Sequence, residues 1–180
     1  MGLTAEDFIA MAKESGFTAA GVLDPSTIEL RQEVRDMCAE DKCHAYGHNW
    51  TCPPHCGTLE ECRGRIKKYQ TGIIVQTTGQ LEDSMDYEAM MDTAALHKKN
   101  LAAFFQKVQE TYPNALCLGA GGCSICEKCS CPDSPCRFPQ KAFSSMEGYG
   151  MVVSDVCKNN GIPYYYGENT ITYVGCYLLY

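Results

Sequence analysis

The sequence predicts a single domain of α/β or α+β class: a mixed sheet flanked by helices, two cysteine-rich loops and a C-terminal β-hairpin. Three observations predict it. Segments with helical spacing of apolar residues alternate with short β-branched runs. Two stretches, residues 39–57 and 119–139, hold cysteine, glycine and proline without periodicity. The chain closes with two β-prone, tyrosine-rich segments separated by Gly167-Glu168-Asn169. A length of 180 residues suits one domain spanning 1–180, and no repeat or linker divides it.

The elements follow in order. Thr4-Ala5-Glu6-Asp7 has the form of a capping box and opens a helix over Ala5–Ser15, which Gly16 ends. Ala19–Leu23 reads as a short buried strand, and Asp24-Pro25 starts a second helix running to Cys38. Thr58-Leu59-Glu60-Glu61 caps a helix to Tyr69. Gly72–Thr78 is a β-branched run suited to a central strand. A long helix covers Tyr87–Glu110 and exits at Pro113, and Ala115–Leu118 is a short strand. Ser145–Asn159 reads as a helix stopped at Asn160-Gly161. Ile162–Tyr166 and Thr170–Leu179 read as the strands of the hairpin.

Cysteine is the compositional outlier, with 13 residues. A secreted disulfide framework is one reading of that number. The count is odd, and the first residues carry neither a basic nor an apolar leader region. Cysteines crowded into two short stretches also find few partners at bridging distance. Metal-bound thiolates in a reducing cytoplasm fit better. The net charge of −7 excludes a general nucleic-acid binder, which needs a basic face for phosphates. No apolar run approaches the roughly 18 residues of a membrane span. Asn49-Trp50-Thr51 matches a glycosylation sequon and, without a secretion signal, is read as chance.

The strongest motif is Cys123-x2-Cys126-x2-Cys129, followed by Cys136. Three thiolates at this spacing wrap a single centre, because each short arc turns the next sulfur back toward it. Bacterial ferredoxins use C-x2-C-x2-C-x3-C-P for a [4Fe–4S] cluster. Here six residues separate Cys129 from Cys136, and Pro139 follows at a distance. The match is therefore partial, and Cys131 is a rival ligand. Gly119-Ala120-Gly121-Gly122 allows close backbone approach. Four-cysteine zinc is the alternative cofactor, although zinc sites more often use two separated Cys-x2-Cys knuckles.

The second constellation is Cys38-x4-Cys43-x8-Cys52-x3-Cys56, with Cys62 beyond it. Nothing else in 39–57 would order that loop, and bound metal supplies on the order of 10 kcal/mol toward such ordering. Buried thiols packed beside Trp50 are the plainer reading. Cys38, Cys43 and Cys52 lead as ligands, Cys56 is the fourth, and Cys62 is a rival. His44, His48 and His55 are read as ligands, proton donors or solvated side chains. His97, beside Lys98-Lys99, reads as surface. Cys117, Cys157 and Cys176 read as core residues. The tail tyrosines either pack in strands or form a contact surface for an oligomer. Arg63, Arg65, Lys67 and Lys68 make a basic face that is solvated or docks an acidic redox partner.

In the order of these motifs the chain resembles the predicted metal-binding family DUF2284. The resemblance rests on Cys38…Cys43-x2-Tyr46-Gly47-x2-Trp50-x-Cys52-Pro53-Pro54 and on Gly121-Gly122-Cys123-x2-Cys126-x2-Cys129…Pro135-Cys136-Arg137-x-Pro139, and continues through Ser144-Ser145-Met146-Glu147-x-Tyr149-Gly150. It implies metal binding, with iron–sulfur chemistry expected, and no known reaction. Three functions follow as expectations. The first is one or two [4Fe–4S] clusters in electron transfer with a redox partner protein. The second is an iron–sulfur oxidoreductase with an open iron. The third is a zinc-stabilised interaction module.

Overall fold

The computed structural model describes residues 3–180; the first two residues of the leader reading lie outside them. Among the described residues, five α-helices surround a four-stranded sheet, and no helix is long and apolar enough to cross a membrane. Helix α1 (Ala5–Glu14) begins at the expected capping box: the Asp7 amide donates to Thr4 Oγ1, and the Thr4 amide donates to Asp7 Oδ2 at 2.7 Å. Strand β1 is Ala19–Leu23 and helix α2 is Gln32–Ala39. Helix α3 (Leu59–Ile66) starts at the Thr58–Glu61 capping box. Strand β2 (Thr71–Gln80), helix α4 (Tyr87–Thr111) and strand β3 (Leu116–Leu118) follow. Helix α5 (Val153–Asn159) and strand β4 (Thr170–Leu179) complete the order.

The strand order is β1-β2-β4-β3. Period-two alternation sends successive residues to opposite faces. Ile73 and Val75 of β2, with Tyr177 and Leu179 of β4, pack under α1 and α4 against Phe8, Phe104 and Val108. Ile74, Val174, Cys176 and Leu178 face the other way, toward Ile66, Met146, Met151 and Val156. Burial on both faces is why β2 reads as a continuous apolar run. Where α4 crosses β4, a Cβ on Gly175 would stand 2.6 Å from Leu101 Cδ1 and 3.0 Å from the Leu118 carbonyl. Glycine there sets how closely helix and sheet approach.

Five expectations are corrected. All three strand pairings are antiparallel, so the sheet is not mixed and the α+β alternative holds. An apolar run does not encode strand direction. The connection does, and β1 joins β2 through two helices and a long loop rather than one crossover helix. There is no C-terminal hairpin. Both edges of β4 are taken, by β2 and β3, and residues 162–166 run as non-strand chain. That segment is tied to β2 instead, with Gln76 Nε2 donating to the Pro163 carbonyl at 2.7 Å and the Tyr166 hydroxyl donating to Gln76 Oε1.

The helices expected from Asp24 and from Ser145 both start later. Residues 25–27 make one 3-10 turn, and Leu30 bridges to Met151. Residues 145–150 form turns containing Gly148 and Gly150, the latter at φ +96. His97, expected at the surface, is 1% exposed. Helix α4 turns it inward, where Nδ1 lies 2.8 Å from Thr77 Oγ1 and Nε2 has no hydrogen-bond partner among the described residues. Burial pulls its pKa down to about 4, with the Val174 backbone opposing the shift. Cys117, Cys157 and Cys176 are core residues as expected.

Candidate metal centre

The two cysteine-rich loops lie against each other, joined by three consecutive residues of the first. Asn49 Nδ2 donates to the Cys123 carbonyl at 2.9 Å. Trp50 Nε1 donates to the Ser134 carbonyl at 3.0 Å. Thr51 Oγ1 accepts from the Cys123 amide at 3.1 Å and donates to Asn49 Oδ1 at 2.9 Å. Asn49 and Thr51 are buried, so each of these groups would be costly to leave unpaired. Gly122 completes the junction. A Cβ at that position would lie 3.2 Å from Cys52 Sγ and 3.6 Å from Asn49 Nδ2.

Cys123, Cys126, Cys129 and Cys136 all line one small recess, which Asn49, Trp50 and Thr51 close from the other loop. Burial raises the Cys123 thiol, and its neighbours Cys136, Cys129 and Cys126 raise it further. Cys131 is not in that lining. Its thiol is buried and donates to the Gly47 carbonyl at 3.6 Å, a second tie between the loops. The rival is thus placed outside the recess that the other four share.

Cys38, Cys43 and Cys52 form the second neighbourhood. Burial pushes Cys52 up to about 11, and Cys43, Cys38 and Cys123 add to the shift against a hydrogen bond from Thr51. Burial and then Cys43 raise Cys38. Cys52 therefore touches both neighbourhoods electrostatically. Among the described residues, no three His, Cys, Asp or Glu side chains stand close enough to hold a single metal ion as they are. Holding one would need those thiols to stand closer together. The donor set fits such a centre. Burial raises the Cys38, Cys52 and Cys123 thiols, and a metal would supply the positive charge that takes up thiolates there.

Cys56 and Cys62 are engaged by a residue that sequence reasoning missed. Arg35, buried on α2, sets Nη1 at 3.9 Å from Cys56 Sγ and 3.8 Å from Cys62 Sγ. The same nitrogen donates to the Gly148 carbonyl at 3.2 Å, and Nη2 donates to the Gly57 carbonyl at 2.7 Å. A hydrogen bond from Cys56 holds the Cys62 thiol low, against burial and with help from Arg35 and Arg65; the same bond holds Cys56 high. Cys56 also donates to the Gly148 carbonyl at 3.5 Å.

Glu147 was missed as well. Its Oε2 is buried without a partner, and burial raises its carboxyl pKa. Neither residue carries a local signal: each is an ordinary charged residue until packing encloses it. His44, His48 and His55 are exposed, and His55 packs its ring edge-to-face on Trp50 at 4.9 Å. Of the basic face, Arg63 pairs with Glu60 and Arg65 donates to the Cys56 carbonyl at 2.5 Å.

The antiparallel α+β scaffold with two interlocked cysteine loops defines a cysteine-rich protein. More particularly, the chain belongs to the family described as predicted metal-binding protein (DUF2284), whose model matches residues 21–179. No curated protein and no solved structure matches it.

Proposed function

We propose that this protein carries one or two [4Fe–4S] clusters and transfers electrons with a partner redox protein in the cytoplasm, without nucleic acid or membrane. One observation carries the reading: Cys123, Cys126, Cys129 and Cys136 line a single recess. Those four would hold one cluster. Cys38, Cys43 and Cys52, with Cys56, would hold the other. When bound, such a cluster supplies a one-electron couple whose potential depends on charge, burial and hydrogen bonds to sulfur. The chain's part is to hold thiolates, limit water and present the site. Trp50 and Phe138 screen the recess, while Ile125 and Phe138 are 46% and 42% exposed and leave it close to the surface.

The test is anaerobic purification with iron, sulfide and zinc assays and EPR of the reduced protein. A brown sample with iron and sulfide in equal amounts and a cluster signal is expected. A colourless protein that takes up stoichiometric zinc after anaerobic reconstitution overturns the reading in favour of a zinc-stabilised interaction module.

A second reading draws support from Cys56. Its thiol is engaged with Cys62, Arg35 and Gly148, which leaves Cys38, Cys43 and Cys52 as a three-thiol set. A three-cysteine cluster leaves one iron open, as an iron–sulfur reductase would use. Cys56→Ser and Cys62→Ser discriminate. Retention of the second cluster in both variants supports the open iron, and its loss in Cys56→Ser supports four-cysteine ligation.

A further inference from the structure

A cleft of about 540 Å³ shares Cys123 and Ile125 with the cysteine recess. That volume falls within the usual range of small-molecule sites. Its apolar wall is Leu101 and Phe105 of α4 with Phe143, whose ring meets that of Phe105 edge-to-face at 5.1 Å. Three glutamine side chains also line it, and no aspartate or glutamate does.

The charge of the cleft runs against that of the chain. The protein carries a net −7, yet the charged residues of this cleft are Lys98 and Lys141. Neither ammonium has a carboxylate partner among the described residues. Lys98 Nζ donates to the Gly122 carbonyl at 3.0 Å and to Ser124 Oγ at 3.2 Å. It has three N–H groups, so one remains for a ligand, and its position is held by the other two. Paired phenyl rings accept a flat ring by stacking or edge contact. The glutamine amides supply donors and acceptors for a ring edge.

We propose that this cleft binds a planar aromatic or heteroaromatic anion, held by Lys98 and Lys141 against Phe105 and Phe143. The binding rests on the cleft alone. Its place beside Cys123 deepens the electron-transfer reading, because such a ligand would sit next to the loop proposed to hold a cluster.

The test is calorimetric titration of the anaerobically purified full chain with naphthalene-2-sulfonate, 2-naphthol and methanesulfonate. The expected result is saturable binding of naphthalene-2-sulfonate, roughly tenfold tighter than either control, since a charge-assisted hydrogen bond contributes about that factor. Lys98→Gln should weaken it roughly tenfold, and Lys67→Gln, outside the cleft, should leave it unchanged. If Lys98→Gln melts early, Lys141→Gln at an exposed position takes its place. No saturable binding, equal affinity for the three probes, or full affinity in both lysine variants overturns the proposal. Iron and sulfide are assayed on the same samples. Selective binding by a colourless preparation supports the cleft while removing the cluster. An iron-loaded preparation that does not bind overturns the cleft and leaves the cluster intact.

Discussion

Asn49 donates its side-chain amide to the carbonyl of Cys123, 74 residues further along the chain, at 2.9 Å. Its oxygen meanwhile accepts from the amide and hydroxyl of Thr51, and that hydroxyl accepts from the Cys123 amide. One buried polar unit thus holds the backbone of the first cysteine of the strongest motif from both sides. Asn49→Ala strands the Cys123 carbonyl and is expected to cost about 2 kcal/mol. Urea unfolding of the metal-free protein measures that cost. Iron retained after reconstitution should fall in the same variant, and unchanged values of both would refute the role.

Gly122 and Gly64 should respond oppositely to an added side chain. At Gly122 the new atoms would press on Cys52 Sγ, so Gly122→Val is expected to part the loops and lower metal retention several-fold. Gly64 lies exposed within α3 with nothing within 4 Å of its would-be Cβ. Gly64→Ala should therefore raise stability by up to about 1 kcal/mol and leave metal content alone. Thermal melts and metal analysis of the two variants check both statements.

Arg35 sets its guanidinium beside the Cys56 and Cys62 sulfurs and satisfies two carbonyls in a buried site. Arg35→Met keeps the volume but removes the N–H donors from the Gly57 and Gly148 carbonyls, which keep only weak thiol contacts from Cys62 and Cys56. A loss of about 3 kcal/mol is expected. Arg35→Lys should recover part of it, because an ammonium restores the charge without the planar fork. A variant as stable as the parent protein would show that the guanidinium is incidental.

His97 makes stability depend on pH. Its folded pKa is near 4, below the ordinary value of 6.5, so between those values the unfolded chain binds a proton that the folded chain does not. Stability therefore falls as the pH drops from 6.5 toward 4, by on the order of 3 kcal/mol in total. In His97→Gln that part of the slope should vanish. Denaturant midpoints across this range, compared between the two proteins, decide it.

Metal should tighten both loops together. Limited proteolysis of the metal-free protein is expected to cut within 39–57 and 119–139, and loading should protect both, since binding free energy adds directly to the stability of the bound form. Protection of one loop alone would separate the two neighbourhoods.

The capped starts of α1 and α3 and the core strands were legible in the sequence because they are local. Thr4 with Asp7 and Thr58 with Glu61 carry their own capping partners three residues away. The β-branched run at Ile73-Ile74-Val75 needs only burial to become a strand. The sequence alone also determined the two cysteine stretches and the family. Strand direction lay beyond it, since Thr170–Leu179 pairs with both β2 and β3 and leaves Ile162–Tyr166 no edge to join.

The tertiary structure decided how the cysteines sort. The sequence reads Cys136 as the fourth ligand with Cys131 as its rival, and the Cys131 thiol turns to the Gly47 carbonyl while Cys136 lines the shared recess. Asn49-Trp50-Thr51 looked like a chance sequon and is the clasp between the loops. Its hydrogen bonds run to residues more than seventy positions away, and their value lies in burial, which no local pattern encodes.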